Sequence, residues 1–278
     1  MIAVLLWSSA FAGSRYALQH YSPGSLMLLR FILASATLVT IGAIKKIRLP
    51  KKKDLPFFLM GGFVGIFLYM FFFNLGAVTV VAGVGSFIIA STPVYTIILS
   101  RLLLKEIVKP ICWIGVAVSF CGLVVVMLSQ TTGFNLNIGL LLMLGSAISS
   151  SAHMIIQRNL FKTYTALEAT TYSVLVATVF MLVFIPNVIR ELPDATLQTN
   201  LVVAFMGIFP AALGYLLWGY ALSISEKTTN VAVFLYLIPF MASLLAFFWL
   251  GETFSLMTLI GGIVIIGGMA LTNAKVKE

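Results

Sequence analysis

Ten long apolar stretches constrain this chain more than any other feature: roughly 2–19, 23–44, 55–76, 80–102, 109–129, 138–160, 165–188, 199–222, 229–250 and 255–273. A helix needs about 20 mostly apolar residues to cross a bilayer. Each stretch is apolar all round, without the sustained alternation of a membrane β-strand. The expected fold is therefore an all-α integral membrane bundle of ten transmembrane helices. Composition agrees. Of 278 residues, 61% are hydrophobic and 9% charged, against roughly 45–50% and about 25% in soluble domains. So few polar residues cannot cover a soluble globule, and disorder needs the opposite balance. No gap between stretches is long enough for a second, soluble domain.

The net charge of +9 is distributed in a way that argues against nucleic acid. Lys and Arg fall in alternate gaps. KKIRLPKKKD after the second stretch holds six; Arg101, Lys105 and Lys109 follow the fourth, Arg158 and Lys162 the sixth, Lys227 the eighth, and Lys275 and Lys277 the tenth. The intervening gaps hold only Arg190. Such a bias places the basic gaps and both termini in the cytoplasm, of a protein expected in the cell membrane. The first stretch lacks a basic leader region and an A-x-A-like cleavage site, so it reads as the first span. Cys112 and Cys121, nine residues apart on a helix, face opposite ways and do not bridge. With His20 and His153 the only histidines, no metal-ligand spacing arises, and no cofactor is implied.

The chain repeats itself. Shifted by 146 residues, 54–128 matches 200–274 without a gap at 13 positions. Leu and Val matches are cheap in this composition, but Tyr69/Tyr215, Pro93/Pro239 and Glu106/Glu252 are not. Gly61/Gly207, Gly115/Gly261 and Gly122/Gly268 join them. Residues 1–130 and 131–278 therefore read as homologous five-helix halves forming one membrane domain. Because five is odd, the second half is inverted in the membrane. Inverted repeats characterise secondary transporters, which bind substrate near the midplane between the halves.

The runs LLWSSAFAGSRYAL, SPGSLMLLRFILA, ASTPVYTIILSRLLLKE and LIPFMASLLAFFWLGETFS, with Gly115 and Gly261 following, resemble the EamA-type branch of the drug/metabolite transporter superfamily. The resemblance covers essentially the whole chain. It implies ten helices, alternating access, and a cavity lined by helices 1, 3, 4, 6, 8 and 9; members often export amino acids or other small metabolites. Members usually carry several more residues, often basic, before the region of Trp7, a departure from this chain.

Polar residues inside apolar stretches are the candidate site. Arg30 lies roughly 12 Å into the second stretch at 1.5 Å per residue, and intramembrane charges usually face a cavity or a partner. It reads either as the seat of a carboxylate or as a brace between helices. Arg15, near the end of span one, reads as a snorkelling residue. His153 and Gln157 share a face of span six, and His153 is the deep group able to titrate near neutrality; a coupling proton is its functional reading, a hydrogen-bonded core residue its structural one. Tyr69 and Tyr215 flank the midplane from opposite entry faces, and with Asn74, Tyr95, Trp218 and Tyr236 they form an amphipathic set on spans 3, 4, 8 and 9, as substrate sites do. Pro93, Pro210 and Pro239 lie inside spans and read as kinks or hinges, with Ser91 and Thr92 supplying replacement hydrogen bonds. Gly61-x-x-x-Gly65, Gly115, Gly122, Gly261, Gly262, Gly267 and Gly268 read as close helix contacts. Glu106 and Glu252 read as braces of the 4/5 and 9/10 turns.

These features predict a secondary transporter that exports amino acids or similar solutes, with a small-molecule substrate, the lipid bilayer and a proton as its partners. The chain carries no G-x-x-x-x-G-K-[ST] phosphate loop. A multidrug exporter is expected to hold a buried carboxylate, and a sugar-phosphate or nucleotide-sugar carrier several convergent basic residues; neither pattern is present. An integral-membrane enzyme would need a catalytic constellation, and none is visible.

Overall fold

The structure is a computed structural model in which residues 1–80, 88–128, 138–250 and 256–273 are described. Among them every regular element is helical. The first helices are α1 (Ile2–Ala17) and α2 (Pro23–Lys45). Next, α3 comprises Leu55–Gly62, a π-helical segment Phe63–Leu68 and Tyr69–Ala77. Then come α4 (Thr92–Leu99 with π-helical Ser100–Leu104), α5 (Pro110–Leu128) and α6 (Ile138–Leu160). α7 runs Ala166–Met181 and continues through short turns to Asp194. α8 comprises Leu197–Met206, π-helical Gly207–Gly214 and Tyr215–Ile224. α9 joins Thr228–Ala232, a 3₁₀ turn Val233–Tyr236 and Leu237–Leu250, and α10 is Leu256–Asn273.

Local sequence explains the starts. Ser22 accepts from the Ser25 N–H with Pro23 in the first turn of α2, and Thr165 with Glu168 forms a capping box at α7. Both satisfy amides that have no intrahelical partner. At the end of α8, the Arg158 guanidinium from α6 donates to the carbonyls of Leu222 (2.8 Å) and Ser225 and Glu226 (both 2.5 Å).

Five helical stretches are long and apolar enough to cross a membrane: Pro23–Lys45, Lys52–Gly76, Ile138–Leu160, Ala166–Asp194 and Leu197–Ile224. The other apolar helices among the described residues are shorter, such as Ile88–Leu104 and Thr228–Ala242. Large apolar side chains face outward on several helices, including Val179, Val183, Leu201 and Ile263, each more than 60% exposed. An apolar surface of this extent needs a lipid or protein neighbour.

The two halves of the chain interleave. α1 packs on α8 and α9, α2 on α7 and α8, α3 on α6 and α7, and α4 on α6. The most extensive contact is between α5 and α10, where facing glycines bring the backbones together: a Cβ on Gly115 would sit 2.6 Å from the Gly268 carbonyl oxygen, and one on Gly122 would sit 2.7 Å from that of Gly261. The π segments of α3 and α8 also correspond, since the 146-residue shift carries 63–68 onto 209–214, inside Gly207–Gly214.

The prolines differ from expectation. Pro93 is in the first turn of α4, after a break at Ser91, and Pro239 is in the first turn of Leu237–Leu250 after the 3₁₀ turn. The first turn is where a missing N–H costs least. Both therefore sit where two helical segments join, inside the longer apolar helices Ile88–Leu104 and Thr228–Ala242. Thr92 Oγ1 donates to the Ile89 carbonyl at 2.5 Å, the acceptor four residues before Pro93 that proline cannot serve. Pro210 alone lies inside a segment, the π segment of α8.

Candidate functional site

The site grows from the π segments. A π turn widens the helix and is frequent at functional sites. In α8 the widened turn receives Trp7 from α1: its indole Nε1 donates to the Pro210 carbonyl at 3.1 Å, and a Cβ on Gly214 would stand 2.9 Å from that nitrogen. In α3 the bare surface of Gly61 and Gly65 receives His153 from α6. Its Nδ1 lies 3.2 Å from the Gly61 carbonyl. Since a carbonyl only accepts, Nδ1 carries the proton and Nε2 faces away as an acceptor. A Cβ on Gly65 would come within 2.4 Å of the ring. Of the GxxxG pair expected to seat a helix backbone, Gly65 thus makes room for an imidazole, while the missing Cβ of Gly61 faces Ser173 and Ile156.

Between these two rings lies Tyr215. Its ring centroid is 5.6 Å from that of Trp7, 6.0 Å from His153 and 6.2 Å from Phe31, and Trp7 stands 5.0 Å from Trp218. Tyr69 packs on the same cluster as Tyr215. The α2 residues flanking Arg30, among them Leu28 and Phe31, pack in this same cluster. Arg30 is 7% exposed, and its Nε is buried without a partner. Among the described residues no hydrogen bond or ion pair reaches this guanidinium. His153 Nε2, both amide atoms of Gln157, Trp218 Nε1 and the Tyr236 hydroxyl are likewise buried and unpartnered. Thr170 and Gln157 flank Gly219, one turn beyond Tyr215. Native interiors leave few such groups, so their concentration on α2, α6, α8 and α9 marks a polar locus inside an apolar bundle.

The candidates named from sequence divide accordingly. Arg30, Tyr69, His153, Gln157, Tyr215 and Trp218 gather around the two π segments. Tyr236 packs with Trp218 and Met154 in the neighbouring cluster. Tyr95 packs beside Tyr69 against Met143 and Ala147 of α6. Asn74 lies apart: its amide donates to the Pro23 carbonyl at 3.4 Å, at the N-terminus of α2. Arg15's side chain and Glu252 are outside the described residues. Trp7, Phe31 and Thr170 were not singled out by sequence. Trp7 stands in a run that marks the family, but an apolar-all-round helix does not reveal which way it points.

The acidic groups lie elsewhere. Glu106 reaches across to α9, where its Oε1 accepts from the Thr228 N–H at 3.1 Å and hydroxyl at 2.8 Å. It therefore braces the start of α9 and not the 4/5 turn. Glu168 accepts from Arg48 Nε and the Arg48 backbone N–H, both at 3.0 Å. The hydrogen bond it donates to this carboxylate holds the exposed Arg48 guanidinium above its ordinary pKa. Glu191 accepts from the Ser22 N–H at 2.8 Å.

Comparison with known proteins places this arrangement. The EamA-like transporter family matches residues 1–128 and 137–274. The "uncharacterized transporter YdfC" of Bacillus subtilis is 32% identical over 276 residues, 98% of this chain and 89% of that protein. A "probable terminal-alkyne amino-acid exporter" of Streptantibioticus cattleyicolor is 30% identical over 278 residues, 99% of this chain and 92% of its own. A solved crystal structure superposes with a TM-score of 0.82 at 21% identity, over 98% of this chain and 94% of that one, which establishes likeness of fold. The chain is a multi-pass membrane transporter belonging to the EamA-like transporter family of the drug/metabolite transporter superfamily.

Proposed function

We propose that this protein is a secondary transporter that exports amino acids or similar small metabolites across the cell membrane by alternating access. Ten spans in two inverted five-helix halves, 1–130 and 131–278, carry it, with both termini in the cytoplasm. Substrate binds between the halves, around Arg30, Tyr69, Tyr95, His153, Gln157, Tyr215, Trp218 and Tyr236.

The observation that carries this reading is Arg30, buried with its Nε unpartnered on the stretch of α2 that packs with both repeat-matched tyrosines. A charge withdrawn from water without a partner is expensive. A permanent structural role would supply a counter-charge; a transient substrate supplies one only when bound. The relative named as an amino-acid exporter favours the same substrate class. A proton serves as coupling ion, and His153 Nε2 is the group placed to hold it.

Counterflow tests the reading. Proteoliposomes loaded with a mixed pool of amino acids are expected to exchange at least one labelled member faster than protein-free vesicles. Equal rates, with protein shown to be folded and reconstituted, reject it.

A further inference from the structure

The charges of the bundle interior are one-sided. Arg30 is the buried cation among the described residues. The described acidic side chains sit at helix ends or in loops, and four already have partners: Glu168 with Arg48 and Thr165, Glu106 with Thr228, Glu191 with Ser22, and Asp54 with Tyr164. Nothing negative offsets Arg30 where the polar groups converge. A bound monoanion would pair this charge, whereas a zwitterion would bring a second, positive group needing its own partner. An ammonium would find only neutral acceptors, such as Gln157 Oε1 and His153 Nε2, and ring faces, whereas a carboxylate meets a full opposite charge at Arg30. A dianionic phosphate would need a second buried cation.

We infer that the site selects its cargo by one carboxylate, seated on Arg30 on the side of α2 that packs with Tyr69 and Tyr215, and does not require an amino group. This rests on the transporter reading above and deepens it. The apolar part of the cargo lies against the wall of Trp7, Tyr215 and Trp218, whose rings contact one another. The buried, unpartnered Gln157 Oε1 accepts from a hydroxyl as from an amine, and Trp218 Nε1 and Gln157 Nε2 donate to a hydroxyl oxygen. The cargo class is therefore the aromatic or branched monocarboxylic acids, amino acids among them but not alone.

Three isosteric probes separate the possibilities: phenylalanine, phenyllactate (a hydroxyl replaces the amino group) and phenylalaninamide (the carboxylate is masked). Counterflow in proteoliposomes is expected to carry phenyllactate at least as fast as phenylalanine, with phenylalaninamide at the protein-free background. Quenching of tryptophan fluorescence by phenyllactate, in detergent, reads binding independently of flux. Arg30→Gln is expected to weaken that binding at least tenfold, and Arg30→Lys to restore part of it. Should Arg30→Gln misfold, Tyr69→Phe and Tyr215→Phe leave the charge in place and are expected to weaken phenyllactate binding severalfold. Flux of phenylalaninamide equal to phenylalanine, or of phenylalanine without phenyllactate, overturns the inference while leaving a transporter. Phenyllactate binding that depends on Arg30, without flux of any probe, upholds the anion site and overturns transport. Neither binding nor flux of phenyllactate overturns the inference.

Discussion

Gly115 and Gly268 are reciprocal: a Cβ on either would lie 2.6 Å from the carbonyl oxygen of the other. The 146-residue shift turns Gly115 into Gly261 and Gly122 into Gly268, and Gly122 faces Gly261. Each glycine thus meets the counterpart of the other, as residues do across a two-fold axis. At the crossing Ser119 Oγ donates to the carbonyl of Ile265, its own counterpart, at 3.2 Å.

This contact makes a prediction about stability. Leucine at Gly115 or Gly268 must push two backbones apart, and overpacking costs about 1–3 kcal/mol. Thermal unfolding followed by size-exclusion chromatography is expected to show a lower midpoint for either variant. Gly267, which has open space where a Cβ would go, is expected to accept alanine with little change. Equal tolerance at Gly115 and Gly267 would mean that the two helices are not held by this approach.

Thr92 offers a second check. Its hydroxyl serves the Ile89 carbonyl that Pro93 leaves without a donor. Thr92→Val keeps the shape and removes the donor, and an unsatisfied buried carbonyl costs about 1–3 kcal/mol. Thr92→Ser is expected to unfold near the wild type, and Thr92→Val below it. If valine matches serine, the carbonyl finds another partner.

The sequence made some of this legible and hid the rest, for physical reasons. Tyr69 and Tyr215 were visible because tyrosine is scarce in a Leu- and Val-rich chain, so their coincidence at one shift stood out. The covering hydroxyls beside Pro93 were visible because their acceptors lie three residues away on the same helix. Whether Pro93 and Pro239 bend a helix or start one depends on the turn before them, and that turn is set by packing. Asn74 was misjudged as a neighbour of the tyrosines because rotation of an apolar-all-round helix leaves no pattern. Trp7 was missed for the same reason. Glu106 was assigned to its adjacent turn because a contact 122 residues away has no local signature.

That long-range contact yields a third prediction. Glu106 caps the first turn of α9 through the Thr228 N–H and hydroxyl. Losing an N-terminal cap costs about 1 kcal/mol. Glu106→Ala is expected to lower the unfolding midpoint, and Glu106→Gln, which keeps an acceptor oxygen, to recover most of the loss. Thr228→Val removes the hydroxyl donor to the same oxygen. The double variant with Glu106→Ala is then expected to fall by less than the sum of Glu106→Ala and Thr228→Val. A fully additive double variant would indicate that the carboxylate and hydroxyl do not act as a pair.

His153 decides the energetics of transport under the proposal made here. Its Nδ1–H is committed to the Gly61 carbonyl, and its Nε2 is buried and unpartnered. Accepting a proton at Nε2 therefore breaks no existing hydrogen bond and places positive charge near Tyr215. Glutamine at this position can donate to the same carbonyl but cannot carry a proton. His153→Gln is expected to keep exchange of internal for external solute within a fewfold of the wild type. It is expected to lose the added flux driven by an imposed pH gradient. The measurement is paired: counterflow at equal pH on both sides, and uptake across a gradient, on the same vesicle preparation. Loss of both would point to a folding or packing role against Gly65, whose missing Cβ makes room for the ring. Retention of both would remove His153 from the coupling path.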